Sequence, residues 1–188
     1  MKNPEKITIA LGVTGSIAAF KACELTSTLA KEGFDVNVIM TEAACKLVCP
    51  QSFLTLSRNP VMTDLWEEKE WQPGHIELAM RAKLLVIAPA TANIIAKMAH
   101  GIADDALSTF YISHTGPTIV APAMNPRMWA HPATQANVAL LKERGVIFAG
   151  PDSGHVACGE EGPGRLCTID AIIKQIKTSI NIQKGNKK

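Results

Sequence analysis

Apolar positions come in blocks along this chain. Short runs of aliphatic and β-branched side chains, bounded by Gly, Pro or Thr, alternate with longer stretches of helical spacing. KITIALGVT (residues 6–14) predicts a buried strand ended by Gly15, and SIAAFKACELTSTLAKEG a helix stopped by Gly33. FDVNVIMT predicts a second strand ending at Thr41, with a helix and turn between Glu42 and Asn59. Residues 61–74 hold two tryptophans and four acids and read as irregular. HIELAMRA (75–82) predicts a short helix, and LLVIAPAT (84–91) a central strand buried on both faces. ANIIAKMAHGIADDALSTFYIS predicts one or two helices broken near Gly101, and PTIVAPAM (117–124) another buried strand. A helix over 132–144, a last strand over 145–150 and an amphipathic helix over 170–182 complete the pattern.

Strand and helix alternate throughout, which predicts an α/β class: a three-layer fold with a mostly parallel sheet and helices on both faces. Ligands of such sheets sit outside the carboxyl ends of the strands. The positions to inspect are therefore Thr14–Gly15–Ser16, Thr41, 90–93, 123–125 and the glycine-rich stretch after Gly150.

Composition narrows the setting. The 188 residues suit one domain, expected over 1–182, with a basic tail at 183–188 containing Lys184, Lys187 and Lys188. A net charge of +2 with dispersed cations gives no nucleic-acid signal. No apolar run approaches the roughly eighteen residues of a membrane span, and the start MKNPEK has no secretory pattern. The five cysteines are an odd count without a CxxC pair, which reads as reduced thiols, a cytoplasmic setting and no zinc site. Cys23 and Cys45 read as small core residues, while Cys49 and Cys167 stay open. His100, His114, His131 and His155 show no metal-ligand spacing, so no metal is expected.

Candidate chemistry gathers at the strand ends. GVTGSIAA (12–19) is either an anion site, built from N–H groups at a helix start and a serine hydroxyl, or a tight turn with a serine cap. APATAN (88–93) and APAMNPRMW (121–129) each follow a strand with a proline expected to end it. Their small residues let a flat ligand approach, and Asn93 and Asn125 supply amides. His75 follows WQPG at a helix start and is either a capping residue or a base near neutral pH. GHVACGEEGPGRL (154–166) is too rich in glycine for a helix and lacks the period of a strand. Its position reads as a mobile lid carrying Cys158, with Arg165 as the expected latch.

TGSIAAFK, GH at 74–75, APATAN, PAMNPRMW and ACGEEGPGRL occur in the order found in the homo-oligomeric flavin-containing cysteine decarboxylases, a family this chain resembles from about Lys6 to Ile182. The resemblance implies a Rossmann-like or flavodoxin-like fold, FMN as cofactor, and assembly as a trimer or a dodecamer of trimers. Relatives of this family often continue into the synthetase that makes the substrate; here that activity, where it exists, is expected on a separate chain. By position, Gly15, Ser16, Ile17, Thr41, Thr91, Ala92, Asn93, Ile94 and Ala123 would hold the flavin. Asn125 would grip a substrate carboxylate, with Met124, His155, Val156, Ala157 and Arg165 around the substrate. His75 and Cys158 would be the catalytic pair. Lys83 and Ile94 stand where an acid and a threonine are expected.

The implied substrate is N-[(R)-4-phosphopantothenoyl]-L-cysteine, converted to 4′-phosphopantetheine and CO2 within coenzyme A biosynthesis. Flavin oxidation to a thioaldehyde would provide an electron sink, decarboxylation would leave an ene-thiol, and re-reduction with a proton from Cys158 would finish the reaction. Two other readings carry different expectations. A peptidyl-cysteine decarboxylase stops at the ene-thiol and needs no reducing acid. A non-catalytic flavin-binding regulatory subunit can dispense with His75 or Cys158.

Overall fold

The computed structural model describes residues 6–65, 74–157 and 159–185, with the side chains of 74–75 and 182–185 outside that description. Five parallel strands form the sheet in the order β2-β1-β3-β4-β5. They are β1 (Thr8–Val13), β2 (Asp35–Met40), β3 (Leu84–Ala90), β4 (Thr118–Pro122) and β5 (Ile147–Phe148). The chain order reverses between β1 and β3, so a crevice opens at their carboxyl ends; this is the flavodoxin-like arrangement.

Side-chain parity builds two core layers. Ile9, Leu11 and Val13 of β1 face one layer with Leu84, Val86 and Ala88 of β3; Ala10, Leu85 and Ile87 face the other. The first layer is covered by α1 (Ala19–Lys31), α3 (Pro50–Ser57) and α9 (Ile169–Gly185), the second by α4 (Gly74–Arg81), α5 (Ala92–His100), α6 (Ala106–Ser113) and α8 (Pro132–Glu143). Gly12 lets Leu107 close on the sheet, since a Cβ there would lie 2.6 Å from its Cδ1. Below the sheet, Asp35 accepts from Thr8, Asn37, Asn59 and Arg81. Burial alone would raise its pKa, but these hydrogen bonds and the Arg81 charge outweigh it and hold the carboxyl below its ordinary value.

Several boundaries differ from the sequence reading. Pro89 does not end β3: the strand runs on to Ala90 with an irregularity between Ile87 and Ala90, where proline supplies no ladder N–H. Ala90 then joins the layer of Ile87 rather than of Ala88, so the break resets the alternation. The helical stretch after Thr91 is two helices, with Gly101 left-handed at the end of α5 and Asp105 and Ser108 forming a capping box on α6. Two short helices were not separately foreseen, α2 (Glu42–Cys45) and α7 (Pro126–Ala130). The last strand shrinks to two residues, and α9 runs on to Gly185 rather than ending at Ile182.

The glycine-rich stretch is a β-hairpin, not an irregular connector. β6 (Asp152–His155) pairs antiparallel with β7 (Glu161–Arg165). Its glycines serve close approach as well as turning. Gly164 has φ +144°, its carbonyl accepts from the Met124 N–H at 2.9 Å, and a Cβ there would meet the Met124 carbonyl oxygen at 2.3 Å. A Cβ at Gly162 would lie 3.1 Å from Pro126.

His114, at the end of α6, is buried with its ring stacked on Phe110 at 5.6 Å and neither ring nitrogen at hydrogen-bond geometry. Burial pushes its pKa below the ordinary 6.5, a fall that the nearby carbonyls of Ala79 and Pro117 only partly oppose. Above pH 6.5 the ring is neutral folded or unfolded; below it the unfolded chain takes a proton that the folded chain resists. Stability therefore falls as pH drops from 6.5 through the folded value. Melting temperatures between pH 7.5 and 5 should decline less steeply for His114→Phe than for the wild type; parallel curves would contradict this.

Candidate functional site

A cleft of about 690 Å³ lies at the carboxyl ends of β1, β3 and β4, roofed by the hairpin. Its volume is in the range of roughly 300–1,000 Å³ usual for small-molecule sites. Its base is set by Thr14, 1% exposed, whose Oγ1 donates to the Pro89 carbonyl at 2.7 Å and accepts from the Thr91 N–H at 3.0 Å. This hydroxyl joins the ends of β1 and β3 beyond the last ladder pair, Gly12 with Ile87.

The turn after β1 forms one wall. Ser16 N–H donates to the Thr14 carbonyl, and the Ser16 Oγ accepts weakly from Ala18 N–H at 3.4 Å. Among the described residues, no protein acceptor takes the N–H groups of Gly15 and Ile17. Gly15 cannot carry a side chain, because a Cβ would lie 2.5 Å from that of Ala43. Paired free N–H groups beside a hydroxyl suit an anion such as a phosphate. Ile17 and Phe20, each 61% exposed, and Met128, at 49%, offer apolar surface to a flat ring. A phosphorylated aromatic cofactor fits this donor set and shape.

The opposite wall carries Asn125, which caps α7. Its Oδ1 accepts from the Arg127 N–H at 2.7 Å, which fixes the amide orientation and leaves Nδ2 as the outward donor. Nδ2 donates to Glu160 Oε2 at 3.0 Å, while Glu160 Oε1 pairs with Arg127 at 2.7 Å.

The cleft brings together most of the residues singled out from the sequence: Gly15, Ser16, Ile17, Thr91 and Ala123 on the sheet side, Met124, Asn125, His155, Val156, Ala157 and Arg165 on the other. Thr41 caps α2 at the end of β2, outside the lining, its Oγ1 accepting from the Ala44 N–H. Ala92 and Asn93 open α5 just past Thr91. Ile94 gives its N–H to the Thr91 hydroxyl and its side chain, 1% exposed, to the core. Arg165 lines the cleft and forms no ion pair among the described residues, while Glu160 pairs with Arg127 and Asn125. Cys158 and the His75 side chain lie outside the described residues, though the backbone places His75 in the first turn of α4.

Sequence reasoning missed Phe20, Lys21 and Met128 as lining residues and Glu160 as Asn125's partner. Phe20 and Lys21 were findable, since they sit in the first turn of α1, just after the Gly15–Ile17 turn that the sequence reading had singled out. Of the described thiols, Cys49 is exposed and Cys167 is buried, donating to the Ala149 carbonyl. Burial, then the Asp152 charge, pushes the Cys167 thiol up to about 11, a structural rather than reactive cysteine.

A turn whose N–H groups and hydroxyl suit an anion, beside an apolar slot at the β1/β3 switch point, is the arrangement of a nucleotide-type cofactor protein of the flavodoxin-like class. The chain belongs to the Flavoprotein family, which it matches over residues 1–181. It is 47% identical over 167 residues to the coenzyme A biosynthesis bifunctional protein CoaBC of Bacillus subtilis, covering 88% of this chain but 41% of that protein. It is 42% identical over 175 residues to a probable phosphopantothenoylcysteine decarboxylase of Streptococcus mutans, covering 92% of this chain and 98% of that one. The chain thus spans about two-fifths of the bifunctional relative and nearly all of the shorter one. Among solved structures it resembles a cysteine-to-serine mutant of PPC decarboxylase complexed with pantothenoylaminoethenethiol, with TM-score 0.84 and 29% identity over 93% of this chain and 98% of that one. It also resembles the FMN-dependent cysteine decarboxylase SpaF, with TM-score 0.79 and 33% identity over 90% of this chain and 94% of that one.

The seating of the hairpin on residues 124–126 is testable. Gly164→Ala should lower unfolding stability by about 1–3 kcal/mol through overpacking and backbone strain. It should also speed hydrogen exchange at the Met124 amide. Wild-type stability and exchange would contradict the close approach described.

Proposed function

We propose that this chain is an FMN-dependent decarboxylase of N-[(R)-4-phosphopantothenoyl]-L-cysteine, releasing CO2 and 4′-phosphopantetheine in coenzyme A biosynthesis. The observation that carries the reading is Asn125. Its capping bond to Arg127 turns the amide nitrogen toward the cleft, where it already donates to a carboxylate. Similarity to PPC decarboxylases supplies the substrate.

In this reading the Gly15 and Ile17 N–H groups and the Ser16 hydroxyl take the FMN phosphate. Thr91 and Ala123 border the rest of the flavin, Thr41, Ala92 and Asn93 stand at its edge, and Ile94 acts through the Thr91 hydroxyl that its N–H holds. Bound FMN supplies a two-electron oxidation at the substrate's C–S unit and its later reversal. Asn125 orients the departing carboxylate by hydrogen bonding; a cation there would favour keeping the charge that must leave. Met124, His155, Val156, Ala157 and Arg165 close around the substrate. His75 exchanges a proton near neutral pH, and Cys158 supplies the proton of the final reduction. The cysteine-to-serine structure with an ene-thiol ligand supports giving a cysteine that last step. The working unit is a cytoplasmic homo-oligomer, a trimer or a dodecamer of trimers. Exposed Ile17 and Phe20 beside the cleft are compatible with cover from a second subunit.

Purified protein supplied with FMN should be yellow and release CO2 from phosphopantothenoylcysteine. Asn125→Asp should cut kcat/KM about a hundredfold or more, because it sets a like charge against the substrate carboxylate. Colourless, inactive protein, or full activity in Asn125→Asp, would overturn the reading.

A further inference from the structure

The outward donor of Asn125 is already engaged. Glu160, beside the hairpin tip, places Oε2 3.0 Å from Asn125 Nδ2 and Oε1 2.7 Å from the Arg127 guanidinium. One carboxylate from the chain itself thus binds the amide that the proposed function assigns to the substrate's carboxylate. We propose that Glu160 is an internal surrogate carboxylate: it holds Asn125 until a ligand carboxylate displaces it and retakes Asn125 once that group has left as CO2.

The geometry permits the exchange without rebuilding the hairpin. Glu160 is 33% exposed on its side chain and Arg127 85%, so rotation of the Glu160 side chain breaks its one bond to Nδ2 while Arg127 can keep hold of one oxygen. The hairpin backbone stays seated through the Met124 N–H on the Gly164 carbonyl, and the Glu160 carbonyl still accepts from the Val156 N–H. Like-for-like exchange of carboxylates keeps the Asn125 donor satisfied in both states, so neither state leaves a polar group stranded. The decarboxylated product keeps its phosphate but has no carboxylate to compete with Glu160 for this amide, so the exchange favours entry of the carboxylate-bearing substrate and exit of the decarboxylated product. Glu160 is a positioning residue: it acts through Asn125 and stays off the reacting atoms.

The latch presupposes the substrate proposed above, and two thiol-free ligands separate the two ideas. N-(4-phosphopantothenoyl)-L-alanine keeps the carboxylate, N-(4-phosphopantothenoyl)ethylamine lacks it, and neither carries a sulfur to oxidise. Calorimetric affinities of the FMN-loaded protein for both should be compared in wild type, Glu160→Gln and Glu160→Ala. Removing the competitor should tighten the carboxylate ligand by roughly tenfold in Glu160→Ala, the share of one charge-assisted hydrogen bond. The effect should be smaller in Glu160→Gln, with the ethylamine ligand unchanged within about twofold in both. Wild-type binding of both ligands with no selective tightening, or with weakening, would overturn the latch and leave the decarboxylase reading standing. Failure of the wild type to bind either ligand would overturn the substrate assignment and the latch with it.

Discussion

The hydroxyl of Thr14 is the small interaction on which the cleft depends. β3 passes through Pro89, where the chain has no N–H to give to the ladder, and beyond Ile87 the pairing of β1 with β3 ends. Two backbone groups at that break, the Pro89 carbonyl and the Thr91 N–H, would lack a partner. Thr14 satisfies both with one buried oxygen. Leaving either group unpaired costs about 1–3 kcal/mol, so the threonine holds the strand ends in register where the crevice opens. Everything placed there follows from that junction: the turn at Gly15–Ile17, the Thr91 cap of α5, and the Ala123 N–H on the Ala90 carbonyl.

The second wall is organised by a different constraint, close packing of backbone on backbone. Gly164 sits too near the Met124 carbonyl to carry a side chain, so the hairpin and the 124–126 segment form one surface. Asn125 then caps α7, and that cap decides which end of its amide faces the cleft. The same residue that caps α7 is the one proposed to meet a ligand, so its amide geometry is fixed by local structure alone.

What was legible in the sequence follows from the reach of each signal. The continuous apolar runs of β1, β3 and β4 announce strands buried on both faces, and the order of strands and helices leads to the switch-point crevice. The hairpin was not legible. Its pairing alternates nothing that a hydrophobic period detects, and its glycines answer to contacts with Met124 and Pro126 nearly forty positions earlier. The proline of APATAN misled for a related reason: it interrupts one ladder bond, and Thr14, seventy-five positions away, repairs the junction. Local motif reading placed Asn125 at a ligand, yet Glu160 as its partner depends on the folded hairpin. Phe20 and Lys21 lay within reach, in the first turn of α1 just after Gly15–Ile17.

The central claim is that the Gly15–Ile17 turn holds a phosphate at the β1/β3 switch point. Titration of the apoprotein with FMN and with riboflavin, followed by flavin fluorescence, isolates that group, because the two ligands share the ring and ribityl chain. FMN should bind roughly tenfold or more tightly, as charge-assisted bonds from two N–H groups and a hydroxyl require. Equal affinities would contradict the account.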